Sequence, residues 1–336
     1  MGKSIKELRN VALVGHGGSG KTSLAEALLF RGGVTVRLGR VDDGNSVMDF
    51  EPEEIQRKVS ITSAFHQYGW KKHQVNVIDT PGDANFFSDT RACLQGADGA
   101  IVVVEATDGV KVQTEQAWDV LDQLSMPRLV FINKLDRERA DFMGTFKEVA
   151  EIFQPKPVLV QLPIGAEENF QGIVDLITQK AYLYDKDGKP RAEDIPADMK
   201  DQVASEREAL MENIAEADDA LLEKYLEGEP LTDEELVQGL RAGALASAFV
   251  PVLCGSAAKN IAVDLLMDAI NTCLPSPLER GAISGSVPGA DETTQRQPAP
   301  EEPFSALVFK TIADPYAGRL TIFRIFSGTL KGDSTF

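Results

Sequence analysis

The run Val11-Ala12-Leu13-Val14-Gly15-His16-Gly17-Gly18-Ser19-Gly20-Lys21-Thr22-Ser23 decides the fold. A short β-branched apolar stretch reaches a glycine-rich turn. The turn opens into KTSLAEALLF, where Leu24, Ala27 and Leu28 recur at helical spacing. Strand, loop and helix in that order match the P-loop pattern. Its glycines let successive backbone N–H groups turn inward around phosphates, and the helix N-terminus adds its positive end. Lys21 then serves as a point charge for the terminal phosphates, and the Thr22 hydroxyl as a magnesium ligand.

Outward from this unit the alternation continues. Residues 75–79, 99–106, 127–133 and 249–255 read as strands, and 112–124, 142–153 and 262–274 as helices. Strands apolar along their whole length, separated by helices, predict an α/β fold with a mostly parallel sheet covered on both faces. Between residues 155 and 248 the pattern changes. LVQLPI and KAYLYD read as strands, and a long acidic helix is expected from about Asp198 to Leu226. A further helix begins where Thr232 and Glu235 form a capping box.

The expected organisation is therefore a first part over 1–154, an inserted α+β lobe over 155–248, and a last strand and helix over 249–275. A Pro/Gly-rich linker follows over 276–302, and a β-hairpin joined by ADPYAG over 303–336. A lone hairpin is marginal by itself, so the chain is expected to be a fragment ending in the first strands of a β-barrel.

Composition narrows the function classes. The 336 residues are 43% apolar and 26% charged, with no apolar run long enough for a membrane-spanning helix and no signal-peptide core at the N-terminus. Cys93, Cys254 and Cys273 are too few and too far apart for a disulfide framework or a zinc site, and read as buried thiols in a reducing cytoplasm. The net charge is −18, and residues 191–236 hold 16 acids against 4 bases. That stretch is either a solvated helical face or a docking surface for a protein. It is not a nucleic-acid binder by itself, which would need clustered Lys and Arg.

Two further motifs follow strands. Asp79-Thr80-Pro81-Gly82 places an acid for magnesium and a glycine amide that can approach a γ-phosphate without a side chain in the way. Asn133-Lys134-Leu135-Asp136 selects the base. The Asp136 carboxylate can accept from both N1–H and the 2-amino group of guanine, and adenine offers neither there. A buried polar group left unpaired costs about 1–3 kcal/mol, so the mismatch discriminates. The Lys134 stem can cover the base, and Asn133 can tie this loop to the P-loop. Gly255-Ser256-Ala257, after the last strand, completes a guanine pocket with its backbone amides. GTP or GDP with Mg2+ is the ligand set these motifs imply. The 120 residues from Asp136 to Ser256 far exceed the single helix and strand that a minimal GTPase needs there.

LPIGAEENFQGIVDLI, EDIPADM, LLEKYLEGEPLTDEEL, CGSAAKN, LPSP and EEPFSALVFKTIADPYAGRLTIFRIFSG carry a family resemblance over essentially the whole chain. It resembles the translational GTPases, and elongation factor G most closely. The resemblance implies a G domain, a G′ insert and the start of a β-barrel domain II. It also implies binding to the ribosome, through rRNA and ribosomal proteins; the sequence itself shows no sign of an oligomer or a membrane span, so a cytoplasmic monomer away from membranes is expected. His16 matches a histidine of the family's loop, and Ser60 stands where the family has a magnesium-binding threonine. Four departures accompany it. Asp83 replaces the histidine that orients the attacking water. Arg57-Lys58-Val59-Ser60 replaces Arg-Gly-Ile-Thr. Gly17 and Gly18 replace an apolar residue and an Asp. The loop form matches a paralogous branch of the family, which need not be a translocase and could serve ribosome disassembly or a stress role. Asp83 leaves two readings open. Either hydrolysis is slow, down to a GTP-gated ribosome binder, or Asp83 turns to solvent and the ribosome supplies the missing order. Trp70, Lys71 and Lys72 read as a hairpin tip, and Arg57 as a solvated arginine.

A P-loop kinase or ATPase is the reading that the Asn-Lys-Leu-Asp motif opposes. In a competition assay, excess ATP is expected to leave bound GDP in place, whereas GTP displaces it. Equal displacement by ATP would rule out the guanine pocket.

Overall fold

The computed structural model describes residues 4–286, 289, 292–314 and 318–333. Its centre is a seven-stranded sheet: β1 (Leu8–Val14), β2 (Ala64–Trp70), β3 (His73–Asp79), β4 (Gly99–Glu105), β5 (Arg128–Asn133), β6 (Pro157–Leu159) and β11 (Val250–Cys254). The order is β2-β3-β1-β4-β5-β11-β6, parallel throughout except for the antiparallel edge strand β2. β4 and β5 are buried along almost their whole length, which follows from their unbroken Val, Ile, Leu and Phe content and from helices lying over the sheet. α1 (Lys21–Arg31) packs on β1, β3 and α9 (Val263–Cys273), α4 (Val112–Gln123) on β4, and α5 (Phe142–Ile152) on β5.

This topology sets the place of the site. β1, β3, β4, β5 and β11 run in one direction, and their C-terminal ends deliver the P-loop, Asp79, Glu105, Asn133 and the Gly255–Ala257 turn to one edge. Ligand sites of open α/β sheets lie at that edge. Two short helices the sequence did not announce also border it. α2 (Pro52–Arg57) starts with Pro52 and a Glu51–Glu54 capping box, and α3 (Phe87–Leu94) follows the Asp79–Gly82 turn.

Three expectations are corrected. β6 pairs with β11, so the strand at 157–159 belongs to the central sheet and not to the insert expected from residue 155. The insert's own sheet is β10-β9-β8-β7, antiparallel: β7 (Gln161–Ile164), β8 (Gly172–Asp175), β9 (Lys180–Tyr184) and β10 (Pro190–Glu193). The long acidic helix is broken into α6 (Lys200–Glu216) and α7 (Asp219–Leu226). Asp218 takes an extended conformation and its carboxylate accepts from the Ala220 and Leu221 amides, capping a new helix where the old one ends. α6 buries Val203, Leu210, Ile214 and Ala215 and turns most of its acids outward. The stretch read as a linker holds α10 (Pro277–Arg280) and a ribbon of β12 (Ile283–Ser286) and β13 (Thr293–Arg296).

β14 (Ser305–Asp314) and β15 (Gly318–Ser327) pair as the expected hairpin, and the Pro315–Ala317 turn lies outside the described residues. Arg324 fastens the hairpin to the sheet, donating to both oxygens of Asp98 at 3.0 Å and to the Gly96 carbonyl at 3.1 Å. Trp70 lies at the tip of the β2–β3 hairpin, as expected, and is docked there. Its indole donates to Asp268 of α9 at 2.8 Å, and Lys71 pairs with the same carboxylate at 2.6 Å. All three cysteines are buried free thiols, and burial pushes each thiol up. No helix among the described residues is long and apolar enough to cross a membrane.

α8 (Asp233–Leu245) starts on the Thr232–Glu235 capping box, in which the Thr232 hydroxyl accepts from the Glu235 amide at 3.2 Å and Glu235 accepts from the Thr232 amide at 2.8 Å. Thr232→Ala is expected to cost about 1 kcal/mol in urea denaturation. An unchanged midpoint would mean that the box contributes nothing.

Candidate functional site

The P-loop closes on itself before any ligand is considered. The Lys21 ammonium, buried, donates to the Gly15 carbonyl at 2.9 Å and the His16 carbonyl at 2.7 Å. Burial pulls this lysine below its ordinary range, against the pull of the Asp79 charge. Two glycines make the close packing possible. A Cβ on Gly82 would lie 2.3 Å from Lys21 Nζ and 2.5 Å from the Gly17 amide, so the second motif can lie against the first only without a side chain. Gly20 has φ +92°, and a Cβ there would meet Asn133 Nδ2 at 2.4 Å. Gly18 faces open space, Ser19 is buried with its hydroxyl unpartnered, and Ser23 lines the cavity in front of the loop.

That cavity measures about 610 Å³. Gly17, Lys21, Thr22, Ser60, Gly82 and Lys134 all line it, so the three sequence motifs and the segment ending at Ser60 meet around one space.

At its inner wall lies a cluster of oxygens. Thr22 Oγ1 is 2.9 Å from Ser60 Oγ, which donates to Asp49 Oδ1 at 2.8 Å. Asp79 and Asp49 are buried, and each keeps one carboxylate oxygen without a partner among the described residues. Burial raises the pKa of both. Hydroxyls and orphaned carboxylate oxygens, with no sulfur or imidazole, form a donor set that fits a hard divalent cation such as Mg2+. Sequence reasoning found Thr22, Ser60 and Asp79 but missed Asp49, which belongs to no motif and joins only through its contact with Ser60. It also missed Glu54, which accepts from the Ile61 and Thr62 amides at 2.8 and 3.0 Å. It missed Glu26 as well, which accepts from the Val47 and Met48 amides at 2.6 and 3.0 Å. The two glutamates hold the segment around Ser60 in place.

On the base side, Asn133 bridges two loops. Its Nδ2 donates to the Ser19 carbonyl and its Oδ1 accepts from the Ala257 amide, each at 3.0 Å. The Asp136 Oδ1 is buried and has no partner among the described residues. The expectation for Ser256 and Ala257 shifts by a residue. The Ser256 amide is taken by the Ile261 carbonyl and the Ala257 amide by Asn133, while Ala258, on the cavity wall, keeps an amide with no partner among the described residues.

His16 is corrected. Its amide donates to Thr114 Oγ1, its Nδ1 lies 3.0 Å from the same hydroxyl, and its Nε2 lies 3.8 Å from Glu105. The side chain therefore braces the loop from behind and does not reach the cavity. Asp83 lines the cavity beside Gly82. Its carboxylate accepts from the backbone and side-chain nitrogens of Asn85, both at 2.8 Å, and caps the turn at Ala84–Phe86. Arg57 is exposed.

A family model described as the elongation factor Tu GTP binding domain matches residues 6–276. A crystal structure of a protein from Thermus thermophilus is similar at 34% identity with a TM-score of 0.85, covering 97% of this chain and 46% of that one. The chain thus spans less than half the length of that relative.

Glu105, at the end of β4, joins the two halves of the site, pairing with Lys134 at 3.0 Å and accepting from Thr107 at 2.7 Å. Burial pushes its carboxyl up, but the contacts with His16, Thr107 and Lys134 outweigh it and bring the group from 4.5 down to about 2. A depressed carboxyl contributes stability above its unfolded value and loses it as the pH falls through the folded one. The stability difference between the wild type and Glu105→Gln is therefore expected to be constant above pH 4.5 and to shrink as the pH falls towards 2, read by urea denaturation. A pH-independent difference would contradict the assigned contacts.

Proposed function

The chain belongs to the family of the elongation factor Tu GTP-binding domain, and with it to the translational GTPases, and on that basis we propose that it is the nucleotide-binding part of an elongation factor G-like protein that hydrolyses GTP on the ribosome. The observation that carries the reading is the convergence of Lys21, the Thr22–Ser60–Asp49–Asp79 cluster and the Asn133–Asp136 loop on one cavity. In that space a phosphate chain, a divalent ion and a guanine base each have a matching set of groups. Translocation and ribosome disassembly are the two roles this reading admits, in the cytoplasm and with the ribosome as partner.

The reaction is transfer of the γ-phosphoryl group to water. The bond from the β–γ bridging oxygen to the γ-phosphorus breaks, the water oxygen takes its place, and GDP and phosphate leave. Lys21 and the amides of Gly17 to Thr22 hold the phosphate oxygens and meet the charge that grows on them, a contribution made by preorganised donors that need not rearrange. The Gly82 amide faces the γ-phosphate from the other side, where a Cβ would block it. Asp136 reads the base, with the Ala258 amide as a donor for the guanine oxygen. Thr22 and Ser60, with Asp79 and Asp49 behind them, would hold magnesium, which would supply positive charge against the phosphate oxygens.

Asp83 lines the cavity beside Gly82, with one carboxylate oxygen held by the two nitrogens of Asn85. A second reading follows from that contact: a GTP-gated ribosome binder with little hydrolysis. The deciding experiment is multiple-turnover GTP hydrolysis by the longer protein, with and without ribosomes, alongside Asp83→His. Stimulation by ribosomes with a further rise in Asp83→His is expected. Unchanged stimulated turnover in the variant would mean that position 83 is not limiting, and tight guanine binding without any stimulation would favour the gated binder.

A further inference from the structure

Two segments beside the γ-phosphate end of the cavity meet the C-terminal hairpin at a single point. The first is the chain after Ser60, whose Thr62 lies two residues on. The second is α3, which begins after Gly82 and carries Asp89. Asp89 Oδ2 accepts from the Ser63 amide and hydroxyl, each at 2.6 Å, so the two segments are bound to each other. Into this junction β14 inserts Lys310. Its ammonium donates to Asp89 Oδ1 and Oδ2 at 2.8 and 2.7 Å and to the Thr62 hydroxyl, and its side chain is only 8% exposed. The neighbouring Phe309 packs against Phe65, ring centroids 5.9 Å apart, and over Gly96.

We propose that Lys310 is a positioning residue for the γ-phosphate end of the site, holding the Thr62 and Asp89 segments together in the closed arrangement and tying that arrangement to docking of the hairpin. This rests on the GTP-binding reading above and deepens it. Ser60 and Gly82 are the groups through which those segments meet the metal and the third phosphate, so both segments are ordered by contacts that GDP cannot supply. When both are in place, a carboxylate and a hydroxyl stand ready for one buried ammonium. When they part, the ammonium keeps at most one partner, and a buried charge that loses a partner is strongly disfavoured. Coupling of this kind is reciprocal: hairpin docking through Lys310 favours the GTP-bound arrangement, and GTP favours docking. Arg324 fastens the same hairpin but does not share this role. Its partners, Asp98 and the Gly96 carbonyl, precede β4 and belong to neither segment.

The test compares fluorescent GDP and a fluorescent non-hydrolysable GTP analogue on the full chain. Lys310→Met keeps the stem and removes the charge. Affinity for the GTP analogue is expected to fall by about fivefold or more, a typical allosteric coupling, while GDP affinity changes less than twofold. Lys310→Arg, which can still grip Asp89, is expected to restore most of the difference. Hydrogen exchange should show residues 305–312 better protected with the GTP analogue than with GDP in the wild type, and equally protected in Lys310→Met. Equal loss of both affinities, or loss of neither, overturns the proposal. Should Lys310→Met undock the hairpin outright, Thr62→Val removes one contact from the other side. It must lower the GTP preference by a smaller factor, and an unchanged preference overturns the proposal again. Failure of the wild type to bind either guanine nucleotide would instead sink the functional reading, before any variant is compared.

Discussion

The ammonium of Lys21 is held by carbonyl oxygens and not by a carboxylate. Much of the molecule follows from keeping it so. Close by, Asp79 and Asp49 are buried, each with an oxygen that has no partner among the described residues. Positive and negative charge thus lie close, buried and unneutralised by direct pairing, which is unfavourable unless something brings the missing partners. An anion for the lysine and a cation for the carboxylates are the two complements. The glycines at 20 and 82 let the three loops approach closely enough to offer both within one cavity.

The departures from the family pattern become intelligible in the same terms. Ser60 lacks the methyl of a threonine, which would leave its hydroxyl freer to rotate. Here the hydroxyl is fixed from two sides, by Thr22 and by Asp49, and Glu54 holds the amides that follow. Hydrogen bonds do what packing of a methyl would otherwise do. Asp83 replaces a histidine, and Asn85 holds one oxygen of its carboxylate through two nitrogens, which fixes the side chain where it borders the cavity. Neither compensation can be read from residue identity alone, since Asp49 and Asn85 stand in no recognisable motif.

What the sequence makes legible is what rests on local physics. β4 and β5 announce themselves as unbroken apolar runs, α1 by its spacing after the glycines, and α8 by Thr232 and Glu235. Less legible is whatever depends on partners distant along the chain. β12 and β13 hold one apolar side chain, Ile283, among Ser, Gly, Thr, Gln and Arg, so they read as a linker although they pair. β6 is three residues long and follows a helix, and only its partner β11, some ninety residues later, assigns it to the main sheet. The break at Asp218 had a signal, a residue that prefers caps to helix interiors, but the acidic run around it hid that signal. Within the site, the glycine-rich loop and the Asn133–Asp136 turn could be found from spacing. Glu26, Glu54 and Glu105 could not, because an isolated glutamate gains its meaning only from what it touches.

The position of β11 bears on how the chain is made. It lies between β5 and β6, yet it is translated after both and after the whole insert. In a nascent chain that has emerged as far as Leu245 the slot for β11 is therefore unfilled, and the outer edge of β5 and the strand β6 both lack their common partner. Such edges invite pairing with the wrong partner. The insert, with a sheet and helices of its own, delays the filling of that slot. Because Ala257 and Asn133 are joined only once β11 is in place, the base end of the cavity is the last part of the nucleotide site to be completed as the ribosome delivers the chain.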